Sequence, residues 1–184
     1  MQRVKGTVLK SRLAFVTEHA GMDSLEAVLA SLQPADRKSL EAVLTVGWYP
    51  FELGKALDDA IVKVVGGGDP QFFLRLGRAS ADKNLTTLHV SFLTPGDPHK
   101  FLGKAQQIYG LYYDTGRREY EKTGERSGVL TTREAETFSA PDCLTVVGWY
   151  ERALELCGAK DPRVVEEECR AKGGEACRYR VSWS

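Results

Sequence analysis

The chain has 184 residues, with 25 Lys+Arg balancing 25 Asp+Glu, 42% hydrophobic residues and 18 Gly against 7 Pro, the composition of one ordinary globular domain. A chain of this length buries roughly 70% of the surface that its unfolded form exposes, so its core needs neither disulfides nor metal. Zero formal net charge removes the global attraction on which nonspecific nucleic-acid and membrane-surface binding depends, and no nucleic-acid partner is expected. No stretch approaches the roughly 18 apolar residues of a membrane span. Lys5, Lys10 and Arg12 interrupt the apolar residues up to Val16, where an export signal needs an unbroken run, so the sequence reads as cytoplasmic.

Over residues 23–32, Leu25, Val28, Leu29 and Leu32 recur at the spacing of one helix face, with Asp23 or Ser24 as N-cap and Glu26 near the positive helix end. Pro34-Ala35-Asp36 opens a second helix through Leu40, Val43 and Leu44, because a first turn does not use the N–H that proline lacks. Trp48, Tyr49 and Pro50 break the pattern. It resumes over residues 51–65 through Leu53, Leu57, Ile61 and Val62 and stops at Gly66-Gly67-Gly68. No Lys-Ser/Thr follows these glycines, so they mark a helix end and turn rather than a phosphate loop. Asp69-Pro70 begins another helix through Phe72, Phe73, Leu76 and Ala79, and residues 98–113 supply one more through Phe101, Leu102, Ala105, Ile108 and Tyr109.

The period then changes. Residues 118–121 and 128–132 read as two strands joined around Thr123-Gly124, and residues 144–157 return to helical spacing until Gly158. Residues 163–171 and 175–183 flank Lys172-Gly173-Gly174 as a hairpin, in which Cys177, Tyr179, Val181 and Trp183 alternate with polar residues. The expected fold is α+β in a single domain spanning 1–184, with an N-terminal helical layer packed on a C-terminal antiparallel sheet. Residues 1–113 are mainly helical, and 114–184 form a strand pair, a helix and the closing hairpin.

The helix GWYERALELCG (148–158) and the ending VEEECRAKGGEACRYRVSW (165–183) together resemble the C-terminal half of the vinyl-reductase-type small-molecule-binding domain. That domain belongs to the ligand-binding superfamily shared by NO-signalling haem domains and Bet-type subunits of Golgi transport complexes. The opening VKGTVL (4–9) with Ser11-Arg12-Leu13 resembles, more narrowly, a myxobacterial paralogous family of unknown function. The resemblance implies a helix-covered antiparallel sheet, often dimeric, with an internal apolar ligand pocket, and it implies no reaction.

Phenol-sensing regulators of this superfamily hold zinc with Cys, Glu, Cys and Cys. The resemblance places those ligands on Cys143, Glu166, Cys169 and Cys177, at intervals of 23, 3 and 8 residues. Thiolates and a carboxylate suit Zn²⁺, and a three-residue turn at 172–174 sets Cys169 opposite Cys177. Strict alternation turns Glu166 to the other face unless a β-bulge intervenes, while Glu167 has the right parity, so both stay open as the fourth ligand. The competing reading makes the thiols buried core residues, as Cys157 is on the apolar side of its helix.

The NO-sensing relatives use a Tyr-x-Ser-x-Arg motif for the haem propionates and a histidine upstream. Tyr113-Asp114-Thr115-Gly116-Arg117 matches with Thr for Ser, with His89 or His99 before it, but Gly116 marks a turn, and haem is not expected. His19, His89 and His99 show no HxxxH or HExxH spacing, and no G-x-S-x-G occurs. The runs Arg117-Arg118 and Glu166-Glu167-Glu168 read as solvated strand positions. The expectation is a non-enzymatic sensory or regulatory domain that encloses a small apolar molecule, with zinc as a structural ion and a partner protein or homodimer interface to carry the signal. The alternative is an assembly or scaffold subunit acting through its surfaces.

Overall fold

The computed structural model describes residues 2–184, and its order is β1 (Arg3–Lys5), α1 (Gly6–Ala20), α2 (Met22–Ala30), α3 (Pro34–Glu41), β2 (Trp48–Pro50), α4 (Phe51–Val64) and α5 (Phe72–Thr86). There follow α6 (Pro98–Leu102), α7 (Ala105–Tyr109), β3 (Arg117–Gly124), β4 (Ser127–Arg133), α8 (Ala140–Leu156), β5 (Arg163–Glu168) and β6 (Cys177–Ser182). The expected α+β arrangement is the one observed.

Four local expectations are corrected. Helix α1 was not anticipated: it buries Leu9, Arg12, Phe15 and Val16, and a charged residue within that set masks the apolar stripe. The break at 48–50 is itself a strand, pairing antiparallel with β1 from Arg3↔Pro50 to Lys5↔Trp48. The helix expected over 98–113 is two short ones, with α6 capped by the Asp97 carboxylate, which accepts the Lys100 N–H at 2.9 Å. Helix α8 starts ahead of residue 144 because Ser139 serves as N-cap, its hydroxyl accepting the Asp142 N–H at 3.2 Å.

The C-terminal strands form one four-stranded antiparallel sheet in the order β3-β4-β6-β5. The strand pair and the closing hairpin are joined through Leu130↔Tyr179 and Thr132↔Cys177. In β5 the register shifts between Glu166 and Glu168. Among the described residues no helix is long and apolar enough to cross a membrane.

The core falls into two clusters. One holds Leu9, Phe15, Val28, Leu57, Ile61 and Phe73 of the N-terminal helices. The other holds Phe101, Ile108, Leu130, Tyr150, Leu154, Tyr179 and Val181 around the sheet. Helices α5 and α8 bridge them and meet backbone to backbone: a Cβ on Gly77 would lie 2.2 Å from the Thr145 carbonyl oxygen, and one on Gly148 would lie 2.0 Å from that of Leu74. Only glycine permits this approach.

Candidate functional site: an interior cavity between helices and sheet

Where the two clusters meet, α1, α5, α7, α8 and the start of β3 line a partly open cavity of about 50 Å³, its walls including Val8, Arg12, Asn84, Ile108, Tyr109, Tyr112, Arg118, Trp149 and Tyr150. That is room for roughly three or four waters. The lining is not uniformly apolar. The hydroxyls of Tyr112 and Tyr150 are buried there without a hydrogen-bond partner, which is a rare condition for interior polar atoms.

One wall is a charged network joining both halves of the chain. Arg12 of α1 donates through Nε and Nη2 to Asp58 of α4, the second bond being 3.1 Å, and through Nη2 to Asp142 of α8 at 2.8 Å. The Tyr113 hydroxyl donates to the same Asp142 carboxylate at 2.9 Å. Arg12, Asp58 and Asp142 are all buried. Burial pushes Asp58 up to about 6 in spite of Arg12, and burial next to Asp142 holds the Tyr113 phenol well above its usual range.

The second charge is Arg118, which is only 7% exposed. This corrects the reading of Arg117-Arg118 as a solvated pair: Arg117 is outside, with Glu119 and Glu134, while Arg118 points inward. Its Nε donates to Thr132 Oγ1 at 2.8 Å. Its guanidinium carbon lies 4.9 Å from the Tyr109 ring centroid, 5.6 Å from that of Tyr150 and 5.8 Å from that of Tyr179, a cation–π setting. Strand alternation, which gives Arg118 the parity of half-buried Tyr120, was the signal available in the sequence.

Of the residues singled out as metal ligands, Cys143, Cys169 and Cys177 come together, all buried, with their sulfurs within 4.8 Å of one another. The Cys169 thiol donates to Cys143 at 3.5 Å, and the Arg170 N–H donates to Cys177 at 3.4 Å. A hydrogen bond from Cys143 draws Cys177 down to about 7. Glu166 offers no oxygen within that distance of all three sulfurs, although its charge is near enough to oppose the lowering of Cys169 and Cys177. Its Oε2 accepts from Lys172 at 2.6 Å, and its Oε1 is buried without a partner. Glu167 faces Arg178 and Arg180 outside, and Glu168 accepts the Glu175 and Ala176 N–H groups. Cys157 is in the sheet-side core.

The residues read against the haem motif are dispersed. Asp114 pairs with Arg3, the Thr115 carbonyl accepts from Tyr109, and Arg117 is on the surface side. His99 has both ring nitrogens engaged, with the Tyr120 hydroxyl at 2.5 Å and the Glu125 carbonyl at 2.6 Å. His89 packs edge-on to Phe92 and Tyr112, and its burial lowers its pKa. Neither histidine is among the residues lining the cavity.

The whole chain shares its fold with solved H-NOX proteins. It resembles the Fe(II) unliganded H-NOX protein from K. algicida with a TM-score of 0.76 at 12% identity, covering 98% of this chain and 96% of that one. The H-NOX protein from S. oneidensis in its Fe(II)NO state gives 0.74 at 14%, covering 98% and 99%. A structure from work on heme distortion in the H-NOX family gives 0.68 at 13%, covering 98% and 95%. No curated protein matches the chain significantly.

These neighbours correct the cofactor expectation. Solved proteins of this fold carry iron and haem, so haem, rather than a cysteine-held zinc, is the group against which the interior has to be tested. Pockets for ligands of that size run to roughly 300–1,000 Å³, whereas the cavity here is about 50 Å³ and its α5–α8 wall is locked by the Gly77 and Gly148 contacts. As folded, the interior does not accommodate a porphyrin. Over residues 63–184 the chain matches the family described as protein of unknown function (DUF2378), and it belongs to that family.

Proposed function

We propose that this chain is a small-molecule-binding sensory domain whose ligand occupies the cavity between the helical layer and the sheet. The observation that carries the reading is the pair of unpartnered interior hydroxyls, Tyr112 and Tyr150, facing a cavity at the junction of the two core clusters. A ligand at that junction touches α1, α5 and α8 at once, so its arrival changes how the N-terminal helices sit on the sheet. Such a change is read by a partner or a second copy of the chain. The H-NOX fold supports a binding role, and the lining tyrosines, arginines and Asn84 are groups that hold a ligand rather than a nucleophile paired with a base.

The test is native mass spectrometry of freshly purified protein against its denatured mass, followed by haemin titration watched in the Soret region. The expected result is a non-covalent adduct lost on denaturation, or saturable uptake of an added molecule that changes the tryptophan emission. A bare native mass, with no uptake of haemin or of small probes, refutes the reading.

A further inference from the structure

The cavity's hydrogen-bonding groups are unbalanced in one direction. Arg118 is a permanent cation, and a buried charge without a counter-ion costs several kcal/mol. Yet among the described residues no carboxylate forms a salt bridge with it. The buried carboxylates Asp58 and Asp142 are engaged by Arg12 and Tyr113. Thr132 takes the Nε hydrogen, and among the described residues the other guanidinium neighbour is the Tyr150 hydroxyl, a neutral group that cannot balance the charge. The Tyr150 hydroxyl, next to the guanidinium, and the Tyr112 hydroxyl, next to Asn84, have no acceptor for their own protons. The site thus presents a fixed positive charge and phenolic donors without matching acceptors, next to the apolar faces of Ile108, Val146 and Trp149.

We propose that the cavity takes a small organic monocarboxylate, its two oxygens on the Arg118 guanidinium and the tyrosine hydroxyls and its short apolar end against Ile108, Val146 and Trp149. This names the ligand class for the binding role argued above and rests on that reading. A guanidinium fork matches a carboxylate in a bidentate way. One arginine balances one negative charge, which suits a monoanion over a phosphate dianion, and about 50 Å³ admits a group of acetate size. The bound anion would supply the counter-charge that the fold leaves out.

The experiment titrates sodium acetate and its neutral isostere acetamide into the protein at constant ionic strength in chloride, read by calorimetry and by tryptophan fluorescence. The expected result is saturable acetate binding, with acetamide at least tenfold weaker, and at least a tenfold loss in Arg118→Met. Should Arg118→Met fail to fold, Arg118→Lys keeps the charge but loses the fork, and its acetate affinity is expected to fall severalfold. Equal binding of acetate and acetamide, or acetate binding unaffected by both variants, overturns the anion assignment while leaving the cavity as a ligand site. Stoichiometric haemin uptake without acetate binding overturns it in the same way. No binding of any probe together with a bare native mass overturns both.

Discussion

Two glycine-to-alanine changes should move stability in opposite directions, because only one of them lies in the tight contact between α5 and α8. In Gly148→Ala the new methyl would stand 2.0 Å from the Leu74 carbonyl oxygen and 2.8 Å from its carbon, against about 3.3 Å for a close carbon–oxygen contact. The helices must part by more than about 1 Å, and a backbone carbonyl cannot rotate aside as a side chain would. Overpacking of this kind costs about 1–3 kcal/mol. At the upper end, less the ~1 kcal/mol that alanine contributes as a better helix former, the net loss is about 2 kcal/mol, or a fall of about 4–8 °C in Tm. Gly54→Ala, in the interior of α4, places its methyl 3.4 Å from Leu9 Cδ2 and 3.6 Å from Val4 Cγ1, ordinary contacts. There the propensity gain stands alone, and stability rises by about 0.5–1 kcal/mol. Urea denaturation followed by circular dichroism measures both. A Gly148→Ala protein as stable as the wild type would refute the backbone-to-backbone packing.

Arg12→Met strands the buried Asp58 and Asp142 carboxylates, so it should destabilise the protein by about 3–5 kcal/mol in denaturant titration; a loss under 1 kcal/mol would show that the network is solvated. Asp58 holds its proton more tightly folded, at about 6, than at its ordinary 3.8. Its contribution to stability is therefore fully present below pH 4 and declines as pH rises from 4 to 6, by up to about 3 kcal/mol. Comparison of wild type with Asp58→Asn across that window measures it, and a difference that stays constant with pH argues against the burial. All four cysteines are free and buried, so an aromatic disulfide reagent should react slowly with the native protein and titrate four thiols in denaturant. Rapid native labelling of Cys143, Cys169 or Cys177 would contradict their enclosure.

Much of the fold is legible in the sequence wherever one periodicity runs undisturbed. Leu25, Val28 and Leu29 announce α2, and the alternation of Cys177, Tyr179 and Val181 announces β6. The clustering of Cys143, Cys169 and Cys177 follows from the hairpin register and a resemblance to known domains. Helix α1 was obscured because a buried position is occupied by Arg12, whose charge is intelligible only once Asp58 and Asp142 stand beside it, 46 and 130 residues away. Likewise Trp48-Tyr49-Pro50 is a strand only because β1 supplies a partner.

The sequence by itself determined the helices α2 to α5, the strand pair, α8 and the closing antiparallel hairpin, and it gathered all four cysteines into the C-terminal part of the chain, since local spacing reports which side of its own element a residue faces. Tertiary structure alone decided that Arg118 is interior, that Glu166 turns one oxygen to Lys172 and buries the other, and that two core clusters leave a small cavity with unpaired donors between them. Those features depend on which distant groups a side chain meets, and no periodicity within one element records the charge or the empty space on the far side.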